Sequence, residues 1–264
     1  MAATILVREA IWRVSSLLQD IDPQFTRHPE GELVNWLNDA QMAVAKFLPS
    51  AASRLDAIKL KPGSRQSIET IAAADCKPGD GTNPTTSVLG MQLLEVTRNM
   101  GSDGLTPGRT IRVVPRKTLD AQSRTWHAIA GPVVDQFTFD PRLPRYFYVS
   151  PAVPATPAVW VEVAHYAQPT RIANTGVPGA PLYAFAGVNT TPISIADEHL
   201  DDLVNYCAAR AYMKNTQAAG HDAKAGMFSS LFIGSINAKA TVMLGVNPNL
   251  KRLPFSPEPM GAAA

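Results

Sequence analysis

Apolar residues recur every three or four positions in two segments near the start of the chain, the spacing of a helix with one buried face. Residues 4–18 predict a first helix with Thr4 as its N-cap, and residues 30–48 predict a second helix. The apolar stripe of the second helix comprises Leu33, Leu37, Ala40, Val44 and Phe47. Pro49 is expected to end this helix because proline cannot continue it.

The same spacing returns in the last third of the chain. A third helix is predicted to begin near Ser194 or Asp197, with carboxylates crowded into its first turns, where the positive end of the helix dipole favours them. Its predicted inward face comprises Leu200, Leu203, Val204, Cys207 and Ala211. A fourth helix over residues 222–244 is expected to bury Ala223, Met227 and Leu231, and Gly245 is expected to cap it.

Between these helix pairs, short apolar alternations are separated by turns rich in proline and glycine, which is typical of β-strands. The strand candidates are residues 55–60, 66–71, 93–97, 110–114, 136–139, 145–149 and 159–167. Residues 159–167 alternate most clearly, whereas residues 75–87 and 101–108 are predicted as loops. Five to seven strands are enough for a small sandwich or barrel.

These elements predict an α+β fold class with three parts. A four-helix bundle is formed by the N- and C-terminal helix pairs, residues 1–50 and 194–245. An antiparallel β-sandwich or barrel, residues 51–193, is inserted between the two pairs, and an extended C-terminal arm follows over residues 246–264. The arm contains four prolines and few periodic positions, with Leu250, Leu253 and Phe255 as its apolar anchors.

Composition narrows the function classes without selecting one. Apolar residues make up 45% of the chain and charged residues 17%, so either other subunits cover much of the surface or the domain is β-rich with uncharged loops. The net charge of +2 gives no overall attraction to nucleic acid or an anionic membrane. Two distant cysteines, no signal peptide and no apolar run of about 20 residues predict a protein made in a cytoplasm and not in a membrane.

A search for chemistry finds no catalytic, cofactor-binding or metal-binding residue, so the chain is not predicted to be an enzyme. The closest approach to a metal site is His199, which a helix would place near Asp202, but two adjacent ligands do not fill a coordination shell. The glycine-rich residues 101–110 lack the lysine of a phosphate-binding loop.

Basic residues dominate one stretch of the β region, from Arg98 to Arg124. Three interpretations stay open: a stripe that contacts phosphates, an interface with the acidic start of the third helix in a neighbouring copy, or a solvated face. The candidate residues, facing either another subunit or DNA, are Arg109, Arg112, Arg116, Lys117 and Arg124.

Two blocks of this sequence resemble a known family. Residues 5–20 (ILVREAIWRVSSLLQD) and 30–48 (EGELVNWLNDAQMAVAKFL) are similar to the N-terminal helices of head-to-tail adaptor (connector) proteins of short-tailed bacteriophages. The second block contains the family's pattern of an acidic residue followed by Leu-Val-x-Trp-Leu-Asn-Asp-Ala-Gln, here Glu32 to Gln41. The basic residues 116–120 with Trp126, the segment 139–142 and the aromatic segment 146–151 follow in the order found in that family.

The resemblance implies a virion structural protein without cofactors. Such adaptors form a homo-oligomer ring, usually of about twelve copies, that binds the portal protein, extends the DNA channel and presents a platform for tail or nozzle proteins. DNA then passes through during ejection without sequence-specific binding. The expected location is the virion neck between capsid and tail, after assembly in the host cytoplasm.

The arm is the segment expected to dock on the portal or on a neighbouring subunit. Its docking residues are Leu250, Lys251, Arg252, Leu253 and Phe255, with the two cations at a polar rim. Two other functions stay open on the residues alone. One is a nucleic-acid-binding module that uses the stretch from Arg98 to Arg124, and the other is a hydrolase assembled from distant carboxylates.

Overall fold

A computed structural model describes residues 4–20, 27–79, 83–173, 191–214 and 218–246. Within these residues the chain is a mixed α+β protein with five α-helices and nine β-strands in two sheets. It divides into a helical unit, Met1–Leu48 with Ile172–Ala264, and a β unit, Pro49–Arg171. The predicted domain limits stay predictions, and the arm from residue 247 onward lies outside the described residues.

The four helices predicted from the apolar spacing are all present in the helical unit. They are α1 (Val7–Leu17), α2 (Glu30–Phe47), α4 (Leu200–Lys214) and α5 (His221–Val246); the fifth helix, α3 (Arg116–Gln122), belongs to the β unit. Helix α4 packs against α1, α2 and α5, and α1 also contacts α2. The predicted stripe of α2 is buried except for Phe47, whose ring meets Phe232 of α5 edge-on at 6.4 Å between centroids.

The prediction that Thr4 caps the first helix is wrong. Helix α1 begins at Val7, its N-cap residue is Leu6, and no side chain caps it. Thr4 is engaged elsewhere, because its amide N lies 3.0 Å from Oδ1 of Asp197 and its hydroxyl donates to the same carboxylate. The amide of Ile5 also donates to Asp197, at 3.1 Å. The segment before α1 is therefore fastened to the residues that lead into α4.

The predicted buried face of the last helix is also wrong. Its buried residues are Ala225, Phe228, Phe232 and Ile236. Met227 and Leu231 are 52% and 50% exposed, and Ala223 is exposed as well. The reason is that apolar residues surround this helix on all sides, so their spacing does not identify the buried side. Gly245 does not cap the helix, which continues to Val246.

The β unit contains two sheets. Its strands are β1 (Ser53–Lys59), β2 (Gly63–Ser67), β3 (Cys76–Pro78), β4 (Gly90–Met100), β5 (Pro107–Thr110), β6 (Arg112–Val113), β7 (Gln136–Phe139), β8 (Tyr146–Val153) and β9 (Trp160–Ala167). The first sheet has the order β3-β1-β9-β4-β5 and the second the order β2-β8-β7-β6. Strand β3 and the first half of β5 fall in segments predicted as loops, and helix α3 was not predicted.

One hydrophobic cluster receives side chains from both sheets. The first sheet contributes Ile58, Val96, Val161 and Val163, among others, and the second contributes Phe137, Phe147 and Val149. Strand β9, the clearest strand of the sequence, lies at the centre of its sheet and pairs with both β1 and β4. Its alternation is that of a strand with one buried face, as expected from the sequence.

Asn99 connects three segments of the β unit from a buried position on β4. Its Nδ2 donates to the carbonyl oxygens of Arg109 at 3.1 Å and Val134 at 2.7 Å, and its Oδ1 accepts the Val134 amide at 2.8 Å. Because Asn99→Ala leaves the buried backbone groups of Val134 unpaired, we expect it to lower the free energy of unfolding by about 2 kcal/mol in urea denaturation. The exposed Gln92→Ala on the same strand should cost less than about 0.5 kcal/mol, and equal losses would contradict this role.

Candidate functional site

The basic stretch is partly neutralised by its own neighbours. Arg98 of β4 is held by Glu162 of β9 in a two-bond pair, with Nε–Oε2 at 2.8 Å and Nη2–Oε1 at 3.0 Å. Arg109 of β5 lies 3.2 Å from the carboxylate of Asp135. Neither guanidinium is therefore an uncompensated charge for an external partner.

The short helical turn Trp126–Ala128 is packed against β8, and helix α3 contacts this turn. Tyr148 is the common contact: the Trp126 ring meets it edge-on at 6.4 Å between centroids, and the Arg116 Cζ lies 5.6 Å from its ring centroid. Because Phe147 and Val149 enter the core, Tyr148 points to the opposite face of the sheet. The end of the basic stretch thus contacts the outer face of the second sheet at Tyr148.

Asp120 connects helix α3 to the turn at Trp126. Its Oδ1 accepts the indole Nε1 of Trp126 at 2.9 Å, and its Oδ2 lies 3.7 Å from the Arg116 guanidinium. The carboxylate thereby reduces the positive charge that α3 presents. It also fixes the position of the buried Trp126, which explains why a short helix with a single buried apolar residue, Leu119, is formed here.

Three cations of the stretch have no ion pair within the described part of the chain: Arg112, Lys117 and Arg124. All three side chains belong to exposed residues. They lie on β6, on α3 and just before the turn at Trp126. These three, and not the whole predicted set, are the uncompensated charges that the stretch offers to a partner.

The acidic start of α4, which is the partner in one of the three interpretations of these cations, also has fewer free charges than its sequence suggests. Asp197 already accepts hydrogen bonds from Thr4 and Ile5, which lower its pKa below the usual range. Asp202 is completely buried. The exposed carboxylates at this helix start are therefore those of Glu198 and Asp201.

Asp202 is the centre of a polar cluster between α4 and α5. Its Oδ2 lies 3.2 Å from Nδ1 of His199, which confirms that these two residues are neighbours, and 2.6 Å from Nζ of Lys239. Burial alone would raise the pKa of Asp202, but hydrogen bonds from His199, Lys239 and Ser235 outweigh it and hold this pKa at about 2. The ammonium of Lys239 supplies the positive charge that this carboxylate requires.

A second polar cluster lies inside the β unit. Asp56 of β1 is buried. Its carboxylate accepts a hydrogen bond from Nε of Arg54 at 2.9 Å and lies 3.6 Å from Nε2 of the buried His165. It also contacts Cys76, whose thiol pKa rises to about 12, chiefly through burial and then through the charge of Asp56. Burial likewise lowers the pKa of His165. A thiol with this pKa is protonated near neutral pH and is a poor nucleophile.

Sequence reasoning missed one further surface, which we call the outer face of α5. It comprises Met227, Leu231, Gly234, Ala238 and Val242, which are spaced by three or four residues and therefore share one side of the helix. All five residues are exposed. The only signal in the sequence is the apolar character of this helix on every side.

The described residues contain neither a cluster that could hold a metal ion nor a helix that could span a membrane. No group of three or more His, Cys, Asp or Glu side chains there is arranged to hold a metal ion. In the same part of the chain, each helix is too short or too polar to cross a membrane.

A family model described as "SU10 adaptor protein" matches residues 7–248. No curated protein matches the chain. The matched range begins with the first residue of α1, includes the whole β unit and extends beyond the end of α5.

Proposed function

We propose a function from one premise: this chain belongs to the SU10 adaptor protein family, whose model matches residues 7–248. The resemblance to phage adaptors that the sequence motifs carry is thereby confirmed. In general terms, the protein is a structural adaptor protein of a bacteriophage. The observation that carries the proposal is the coverage of the match, which includes both helix pairs and the β unit.

In finer detail, the chain acts as a head-to-tail adaptor in the virion neck. About twelve copies form a ring that joins the portal to the tail or nozzle proteins and extends the DNA channel, with no bond made or broken. The four helices of the helical unit serve as a bundle and the two sheets as a sandwich. The exposed apolar residues of α5 support this proposal, because surfaces of this kind are typical of subunits that assemble.

The proposed anchor of the ring is the arm. Leu253 and Phe255 enter apolar pockets on the portal or on a neighbouring subunit, while Lys251 and Arg252 lie at the polar rim. The prolines of the arm reduce the conformational entropy that is lost when it becomes ordered. The proposal assigns this role from sequence, since the arm lies outside the described residues.

The location of the protein in the particle tests the proposed function. Gold-labelled antibodies against the β unit are applied to purified virions and to tail-less heads, and the labels are imaged by electron microscopy. The proposal expects labels at a single vertex, where the tail is attached, and loss of tails from particles assembled without this protein. Labels distributed over the capsid surface would overturn it.

The nucleic-acid alternative makes a separate prediction. With Arg112, Lys117 and Arg124 as the uncompensated cations, duplex DNA binding by the isolated chain should be weak and non-specific. The slope of log K against log salt concentration should be no steeper than about −3, because each neutralised phosphate contributes about −0.9. Filter binding at several salt concentrations measures this slope. A slope of −6 or steeper, lost in the triple serine variant, would favour the nucleic-acid module instead.

A further inference from the structure

The outer face of α5 is an apolar surface that nothing in the described part of the chain covers. Met227, Leu231 and Val242 are 52%, 50% and 64% exposed. Gly234, between them, borders open space, because a Cβ built on it would meet no atom within 4 Å. From Met227 to Val242 the face is about 23 Å long, at 1.5 Å per helical residue. A run of exposed apolar residues along one side of a helix is typical of a surface that another segment or subunit covers.

The residues that follow α5 have the composition of a segment that turns back along it. Directly after Val246 the sequence reads Asn-Pro-Asn, and Asn-Pro pairs favour the start of a turn. Three apolar residues come next, Leu250, Leu253 and Phe255, with two cations between the first pair.

The distances are compatible with this reversal. Nine residues separate Val246 from Phe255, and an extended chain of that length spans about 30 Å. Leu231 lies fifteen helical residues before Val246, which is about 22 Å along the axis. The segment is therefore long enough to place its three apolar side chains beside the outer face.

We propose that residues 250–255 of the arm occupy the outer face of α5 of the same chain, with Leu250, Leu253 and Phe255 packed against Val242, Ala238 and Leu231. The area of the face favours this occupant over a second copy. A stripe about 23 Å long and 10 Å wide offers roughly a few hundred Å², whereas a stable interface buries about 800 Å² per partner. A covalently linked segment needs less area, because its effective concentration is of millimolar order.

This inference does not depend on the proposed function. Only its consequence rests on that function: when the arm docks on the portal, the outer face of α5 is uncovered and forms one part of a larger contact with the next copy in the ring. The free chain is then prevented from assembling prematurely by its own arm.

Disulfide trapping in the full chain tests the contact. Leu253→Cys is combined with Ala238→Cys on the outer face, and the control combines Leu253→Cys with Asn237→Cys, which is exposed at the same height on another side of α5. The natural Cys76 and Cys207 are buried, and their raised pKa values make them slow to react. The proposal expects an intrachain disulfide that forms about ten times faster in the Ala238 pair. Equal rates, or a disulfide-linked dimer, would overturn it.

A second measurement needs no introduced cysteine. Deletion of residues 247–264 should increase the binding of an apolar fluorescent dye severalfold, and Leu231→Glu in the deleted chain should reverse that increase. Leu231 is exposed, so this substitution leaves the helix packing intact. Unchanged dye binding after the deletion would overturn the proposal. Neither measurement uses portal protein or phage heads. A negative result would therefore overturn the contact between the arm and α5, and the proposed location in the neck would still be tested by the antibody labelling.

Discussion

Replacing Leu253 and Phe255 together by serine is expected to weaken binding of the adaptor to portal-containing heads by at least a factor of about one hundred. Each buried apolar anchor of an interface contributes on the order of 2 kcal/mol or more, and the surrounding polar contacts contribute little. The measurement is co-sedimentation of the labelled chain with purified tail-less heads over a range of chain concentrations.

The matched control is Lys251→Ser with Arg252→Ser in the same arm. Residues at a solvated rim change association rate and salt dependence more than affinity, so this pair should weaken binding less than about tenfold, and the loss should shrink at high salt. If the rim variant weakens binding as much as the anchor variant does, electrostatic attraction and not apolar docking holds the arm. If neither variant matters, the arm is not the anchor.

The proposed docking of the arm and its proposed contact with the outer face of α5 depend on the same apolar residues. According to the two proposals, Leu253 and Phe255 bind the outer face of α5 in the free chain and the portal or a neighbour in the assembled ring. The serine variant should therefore also bind more apolar dye than the natural chain. Loss of attachment without increased dye binding would separate the two roles and leave only the docking role.

The sequence predicted the elements whose own apolar spacing is enough to specify a helix or a strand. Helix α2 was predicted to within one residue because its apolar stripe is regular and Pro49 follows it. Strand β9 was predicted because one of its faces is buried along its whole length. In both cases the local pattern and the tertiary environment require the same structure.

Elements that depend on a distant partner were not predicted. Strand β3 has only three residues, and its pairing with β1 is what makes it a strand. Helix α3 buries a single apolar residue and is held from outside by Trp126. The buried side of α5 depends on which side α4 occupies, and no spacing within α5 contains that information.

The basic stretch shows the same limit for a candidate site. All its cations were visible in the sequence, but the carboxylate that binds Arg98 belongs to a residue 64 positions away. The β4–β9 pairing brings these side chains together, because Arg98 lies opposite Glu162 in the register. Counting charges along the chain therefore overestimates the charge that is available to a partner.

Substituting Asp202 with asparagine is expected to lower the free energy of unfolding of the helical unit by about 3 kcal/mol. The change removes the negative charge that His199, just before α4, and Lys239 of α5 contact, and removal of one partner of a buried pair is strongly destabilising. Urea denaturation at pH 7 measures the loss. The control is Asp201→Asn on the same turn, which is exposed and should cost less than about 0.5 kcal/mol.

The pH dependence of the same variant provides an independent check. Folding lowers the pKa of Asp202 from the usual 3.8 to about 2, so between these values the unfolded chain binds more protons and stability falls as the pH falls. This carboxyl alone should contribute about 2 kcal/mol that is present above pH 4 and lost towards pH 2. The gap between the natural chain and Asp202→Asn should narrow by that amount over the interval. A gap independent of pH would show that the carboxylate charge does not stabilise the contact between α4 and α5.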